Sequence, residues 1–204
     1  MIAIIDYDAG NIKSVEKAML LLGQEVKITR DKDEILNADK VILPGVGAFG
    51  DAMGKIRQYG LEDVIKEVVK KGTPFLGICL GLQLLFESSD ETPGVEGLGI
   101  LKGKILRIPD KEGLKIPHMG WNSLKFPVKG RLFKGLPEDS YVYFVHSYYG
   151  ADCDKAVIAT SNYGYDLTAA VSSGNVYGCQ FHPEKSGNVG LNILKAFCEL
   201  ETKK

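Results

Sequence analysis

Through the first half of the chain, apolar runs of four or five residues alternate with stretches in which apolar side chains recur at helical spacing. Residues 2–6 are the first such run. After Asp8-Ala9-Gly10-Asn11, the side chains Ile12, Val15, Met19 and Leu22 fall on one helical face that stops at Gly23. Residues 25–28 and 40–43 read as the second and third strands, the third ending in Pro44-Gly45. Leu61, Val64, Ile65, Val68 and Val69 mark a further helix closed by Gly72, and Phe75-Leu76-Gly77-Ile78 a fourth strand running into a helical pattern over residues 82–87. Apolar strands separated by crossover helices pair in parallel, and a parallel sheet needs cover on both faces. The pattern therefore predicts an α/β fold, an open and largely parallel central sheet with helices on both sides.

Beyond this the rhythm changes. Residues 104–108, 123–126, 141–145, 156–161, 168–172 and 176–181 are short strand candidates divided by Gly, Pro, Asp and Asn, which predicts antiparallel additions to the sheet in the C-terminal half. Val189, Ile193, Leu194, Phe197 and Leu200 predict a last amphipathic helix, followed by a frayed charged tail over residues 201–204. With no repeat, linker or low-complexity tract, residues 1–204 read as one domain.

Charge and cysteine usage narrow the function. A formal net charge of -1 with no basic cluster argues against nucleic acid as a partner. No apolar run reaches membrane-spanning length, and Met1 leads straight into a strand pattern with no visible targeting segment, so no membrane association and a cytoplasmic location are expected. Cys79, Cys153, Cys179 and Cys198 form no C-x-x-C pair, and with three scattered histidines no metal site and no cofactor are expected.

Gly77-Ile78-Cys79-Leu80-Gly81 follows a strand and precedes a helical pattern, the G-x-nucleophile-x-G arrangement with cysteine at its centre. Such a turn strains the central residue, and its flanking glycines leave room for it. The thiol is thereby presented at the carboxyl edge of the sheet, at a helix N-terminus that favours thiolate. The Leu80 N–H is expected to face an oxyanion formed beside the sulfur. The alternative is a buried, inert cysteine, the reading given to Cys153, Cys179 and Cys198. A base is supplied by His182 in Gln180-Phe181-His182-Pro183-Glu184, just past the last strand candidate. In extended chain, residues two apart project to one side about 6.5–7 Å from each other. Glu184 can then hold one imidazole nitrogen while the other faces the thiol, and Pro183 keeps His182 extended. His118 reads as a loop or contact residue and His146 as a pocket wall or core histidine. Trp121 is open between core plug and interface residue.

Gly45-Val46-Gly47-Ala48-Phe49-Gly50 matches G-x-G-x-x-G, but it follows the third strand, after Pro44, and no acidic residue ends a strand about twenty positions on, as a dinucleotide site requires. It reads better as a second wall of the thiol site, donating backbone N–H groups. A stand-alone thiol hydrolase, a metabolite-binding module built on the glycine loop and a non-catalytic subunit are the competing classes.

Gly77-Ile78-Cys79-Leu80-Gly81-Leu82-Gln83 with His182-Pro183-Glu184 resembles the class I (triad) glutamine amidotransferases. Pro44-Gly45-Val46-Gly47-Ala48-Phe49-Gly50 and Pro117-His118-Met119-Gly120-Trp121-Asn122 are similar to the glutaminase subunits of imidazole glycerol phosphate synthases, and Leu82 stands where many other branches have histidine. The resemblance spans essentially the whole chain and implies a flavodoxin-like fold. It also implies that Cys79 attacks the amide of L-glutamine, with His182 as acid and base and Glu184 as its orienter. Gly45, Val46, Gly47 and Leu80 would form the oxyanion hole, the glycine loop needing a peptide rotation in some relatives. Gly47, Gln83, Ser147 and Tyr148 would hold glutamine. The implied partner is a (β/α)8-barrel cyclase subunit, faced by Asn11, Trp121, Tyr143 and Lys185. Ammonia would pass through its interior to a ribulose-type nucleotide, giving imidazole glycerol phosphate and AICAR in histidine biosynthesis.

Overall fold

The computed structural model describes residues 1–201; residues 202–204 of the expected frayed tail lie outside it. The alternation read from the first half becomes β1 (Ile2–Ile5), α1 (Ile12–Leu21), β2 (Val26–Thr29), α2 (Lys32–Leu36), β3 (Lys40–Leu43), α3 (Phe49–Gln58), α4 (Glu62–Lys70), β4 (Phe75–Ile78) and a single turn, α5 (Leu80–Gln83). The second half supplies β5 (Lys104–Arg107), β6 (His118–Ser123), β7 (Tyr141–His146), β8 (Tyr148–Ala151), β9 (Val157–Asn162), β10 (Asp166–Ser173), β11 (Val176–Cys179) and α6 (Gly187–Cys198).

Seven strands make the central sheet, in the order β2-β1-β3-β4-β11-β10-β9. The first five run parallel, β10 adds antiparallel to β11, and β9 adds antiparallel to β10. Successive side chains of a strand point to opposite faces, and here both faces are dry. Ala3, Ile5, Val41, Leu43 and Phe75 meet α2, α3 and α4 on one side. Ile2, Ile4, Ile42, Leu76 and Ile78 meet α1 and α6 on the other.

Three expectations change. The strand predicted at 123–126 lies upstream, because β6 is drawn into pairing with β7 by the register His118↔His146 through Ser123↔Tyr141, leaving only a bridge from Lys125 to Thr160. The segment Pro117–Asn122, expected as a loop, is therefore mostly strand. Second, β5 with β8 and β6 with β7 form separate two-stranded ribbons instead of extending the central sheet, while β11 joins it in parallel beside β4. Third, the helix expected over residues 82–87 closes after one turn. No helix among the described residues is long and apolar enough to cross a membrane.

The topology has one consequence for chemistry. The strand β4 lies between β3 and β11, so three loops converge at its carboxyl end: Pro44–Ala48 after β3, the Cys79 turn after β4, and Gln180–Glu184 after β11.

Candidate active site

Cys79 sits at φ 53° and ψ -111°, a backbone conformation hard for any residue with a Cβ. It is held there from both sides. The Cys79 N–H donates to the Cys179 carbonyl at 2.8 Å, and the Leu80 N–H donates to the Gly45 carbonyl at 3.2 Å. The flanking glycines are needed for closeness. A Cβ at Gly81 would stand 1.9 Å from the Leu43 carbonyl oxygen, and one at Gly77 would stand 2.7 Å from that of Gly81. The elbow is packed backbone against backbone, and only glycine fits on either side of the cysteine.

His182 and Glu184 come from the other side of β4. The His182 Nδ1 and Glu184 Oε1 atoms are 2.6 Å apart, with side chains only 1% and 0% exposed. Residues Pro183–Lys185 form a 3₁₀ turn rather than extended chain, so the pair meets across a tight turn instead of along a strand face. Ser186 Oγ donates to the His182 carbonyl at 2.6 Å and accepts the Tyr143 N–H at 2.9 Å, fixing the turn against β7. Asn11, itself in a left-handed conformation at φ 65°, donates to Glu184 Oε1 at 2.5 Å. His182 Nε2 has no hydrogen-bond partner and is buried. Burial lowers the His182 pKa, but Cys79 and then Glu184 outweigh it and raise it to about 9. An imidazole this basic, between a thiol and a carboxylate, can carry the positive member of a thiolate–imidazolium pair.

A cleft of about 330 Å³ opens beside the sulfur. It is walled by Gly47, Gln83, Ser147 and Tyr148, the residues expected to hold glutamine, by Val46 and Leu80 of the expected oxyanion hole, by Cys79 and His182, and by His146. Two residues without an expected role enter here. Glu91 lines the cleft and accepts the Phe49 N–H at 2.8 Å. Gln180, fully buried, directs Nε2 at the Cys79 sulfur at 3.8 Å and accepts from Gln83 Nε2 at 3.1 Å. Glu91 lies in the polar stretch Asp90-Glu91-Thr92-Pro93-Gly94, where nothing local separates it from an ordinary solvated loop acid. Gln180 does carry a signal, as an amide beside apolar Phe181 at the end of a buried strand.

The glycine loop is also ordered at this edge. Tyr7, buried, donates to the Pro44 carbonyl at 2.7 Å, and Gly47 takes φ 101°. The Gly45 carbonyl occupies the Leu80 N–H, so in this structure that donor is turned to the loop rather than to the cleft.

Asn11, Trp121, Tyr143 and Lys185 lie together around the His182–Ser186 turn. Trp121 is 54% exposed and packs edge-on against Tyr143, its register partner, at 6.1 Å between ring centroids. The Tyr143 carbonyl accepts the His182 N–H at 2.9 Å, and Lys185 is exposed. Trp121 is thus a surface residue rather than a core plug. His118 differs from expectation: it is buried, stacked between Phe144 and Tyr163, because β6 turns it inward opposite His146.

Burial lowers the pKa of His118 to about 4 and is the largest cause lowering that of His146 to about 3, with the charges of His118 and His182 adding to the latter. Both histidines titrate near 6.5 when unfolded. The unfolded chain therefore binds more protons below that pH, and their contribution to stability is complete above it and lost as pH falls towards the folded values. Between pH 7 and pH 5 the pair loses roughly 3–4 kcal/mol, His182 with its raised pKa offsets part of this, and the urea midpoint is expected to fall by the equivalent of roughly 2–3 kcal/mol. A His118→Asn, His146→Asn double variant should show a visibly flatter profile. Identical profiles would contradict neutral burial.

The family model described as glutamine amidotransferase class-I matches residues 3–199. The chain is 50% identical over 200 residues to the imidazole glycerol phosphate synthase subunit HisH of Listeria innocua, covering 98% of this chain and 96% of that one. It is 54% identical over 198 residues to the subunit of the same name from Bacillus cereus, covering 97% and 93%. Among solved structures, one described as a glutamine amidotransferase superposes with a TM-score of 0.75 at 23% identity, over 96% of this chain and 98% of the other, a likeness of fold. The cysteine elbow, the open parallel sheet and this near full-length similarity agree: the chain belongs to the class-I glutamine amidotransferase family, among the HisH subunits of imidazole glycerol phosphate synthase.

Proposed function

We propose that the chain hydrolyses L-glutamine to glutamate and ammonia through a thioester on Cys79, and delivers the ammonia to a (β/α)8-barrel cyclase subunit. The observation that carries this reading is the placement of His182 between Glu184 and the Cys79 elbow, at the wall of a cleft that also holds Gln83. The Cys79 thiolate attacks the side-chain amide carbon, and the carbonyl oxygen becomes an oxyanion. As the tetrahedral species collapses, the C–N bond breaks and the imidazolium of His182 gives its proton to the departing nitrogen. His182, now neutral, takes a proton from water, which attacks the thioester. Breaking the C–S bond releases glutamate and returns the sulfur as thiolate beside imidazolium. Glu184, held by Asn11, keeps the His182 ring oriented.

The backbone N–H groups of Gly45-Val46-Gly47 and Leu80 serve the oxyanion once the Gly45–Val46 peptide has rotated. Gly47, Gln83, Ser147 and Tyr148 hold the amino acid end of glutamine, and Glu91 adds a carboxylate suited to its ammonium group. Asn11, Trp121, Tyr143 and Lys185 face the barrel, through whose interior ammonia reaches a ribulose-type nucleotide to give imidazole glycerol phosphate and AICAR. A cytoplasmic setting fits this soluble substrate set and thiol chemistry.

Reconstitution tests the reading. Mixed with a barrel cyclase and its nucleotide, the chain should form a one-to-one complex that consumes one glutamine per imidazole product. Trp121→Ala is expected to weaken that complex by about 10–100-fold, the range of an interface hot spot. A chain that releases ammonia yet binds no barrel would refute the partner half of the assignment.

A further inference from the structure

Two buried histidines stand outside the chemistry just described, and their hydrogen bonds admit one arrangement of protons. The His146 Nδ1 atom is 2.8 Å from the Tyr148 carbonyl, which can only accept, so that nitrogen carries hydrogen. In the neutral ring Nε2 is then a bare acceptor, and it lies 2.9 Å from His118 Nδ1, which must donate. His118 Nε2 is in turn an acceptor, 3.2 Å from Asn122 Nδ2. The far end agrees independently. Asn122 Nδ2 also donates to the Asn162 carbonyl at 2.8 Å, and its Oδ1 accepts the Ser123 N–H at 2.8 Å, so backbone groups fix the amide orientation. Both rings are Nδ1–H tautomers, whereas free histidine in water favours Nε2–H. The His118 ring is clamped between Phe144 at 4.6 Å and Tyr163 at 4.0 Å, so it cannot turn to exchange its nitrogens without unstacking.

The chain of bonds ends at the cleft. The carbonyl that receives His146 also receives Gln83 Nε2 at 3.2 Å, and Gln83 bonds to Gln180, which faces the Cys79 sulfur. Ser147 is the single residue between β7, which pairs with β6, and β8, which pairs with β5. The β5 side holds this junction through the register Arg107↔Tyr148 and the Ile108 N–H donated to the Ser147 carbonyl at 2.9 Å. The Tyr148 carbonyl is held by two side-chain donors, Gln83 Nε2 at 3.2 Å and, closer, His146 Nδ1 at 2.8 Å. We propose that His118 and His146 form a tautomer-locked pair that positions the Ser147–Tyr148 wall of the cleft, and so sets how tightly the amino acid end of the substrate is held. The pair acts through that wall and touches no reacting atom. This rests on the glutamine reading above.

Nitrogen NMR of histidine-labelled protein reads the tautomers directly, without substrate. Both rings are expected to show a protonated Nδ1 and a bare Nε2, and Nε2–H signals for either would overturn the proposal. Turnover of the complex with a barrel cyclase supplies the second test. His146→Phe keeps ring volume and loses the donor; it should raise KM for glutamine about tenfold with kcat within about threefold, the effect of one lost buried bond on binding alone. His146→Asn places an amide N–H where Nδ1 stood and should return KM to within about threefold of the parent. His118→Phe should resemble His146→Phe more weakly. An unchanged KM in folded His146→Phe, or asparagine no better than phenylalanine, overturns the positioning role. A parent protein that releases no glutamate overturns the glutamine reading instead, whatever the tautomers show.

Discussion

Cys79→Ala is expected to lower glutamine-dependent ammonia release by at least about 10⁴-fold, because the nucleophile and its base act as one unit and nothing replaces the sulfur. The fold should survive. Alanine at φ 53° carries the same backbone strain as cysteine, the lost atom is small, and the turn is held by the Cys179 and Gly45 carbonyls rather than by the thiol. Synthesis by the complex from added ammonia should therefore continue near the parent rate while synthesis from glutamine stops. Loss of both activities would show Cys79 to be structural.

The second large effect concerns the Gly45–Val46 peptide. Its carbonyl accepts the Leu80 N–H at 3.2 Å, so on the proposed reading one of the two oxyanion donors is engaged within the protein. Only glycine fits at position 45, where a Cβ would stand 2.3 Å from the Tyr7 hydroxyl, and glycine carries the fewest backbone restrictions on such a rotation. Val46, on the other side of the peptide, is 40% exposed at the rim of the cleft. Turning this peptide frees the Leu80 N–H and brings the Val46 N–H inward. One such donor is worth about 10²–10³ in kcat. The isolated chain should thus release ammonia slowly, and a bound cyclase with its nucleotide should accelerate it by about that factor by shifting the population towards the rotated peptide. Equal rates with and without partner would remove this gating.

How much of this was legible in the chain varied with the physical source of each feature. Of the four parallel strands of the first half, β1, β3 and β4 showed as near-continuous apolar runs and the edge strand β2 as alternating Val-Lys-Ile-Thr. The elbow showed because only glycine fits where a Cβ would stand 1.9 Å from a neighbouring carbonyl oxygen. Two helices went unread although local signals existed. Asp31 caps α2 by accepting the Glu34 N–H at 3.0 Å, and α3 buries Phe49, Ala52, Met53 and Ile56 at helical spacing. The glycine pattern of residues 45–50 overlaps the start of the second, so its first turn does not read as helix. The ribbon of β6 and β7 was not legible, since its register, from His118↔His146 to Ser123↔Tyr141, depends on a partner strand distant in sequence and no periodicity within Pro117–Asn122 announces it. His182 and Glu184 were found as a pair though the turn between them was not, because i to i+2 proximity follows from extended chain and from a 3₁₀ turn alike. Glu91 was missed because its place beside Cys79 is purely tertiary.

The account depends most on the thiol of Cys79 as the atom that bonds to substrate. Incubating the chain, with a barrel cyclase present, with the glutamine-like electrophile diazo-oxo-norleucine and sequencing the modified peptide by mass spectrometry tests it directly. One adduct per chain, on Cys79 and blocked by excess glutamine, is the expected result. An adduct on Cys153, Cys179 or Cys198, or no adduct in a protein that still consumes glutamine, would contradict it.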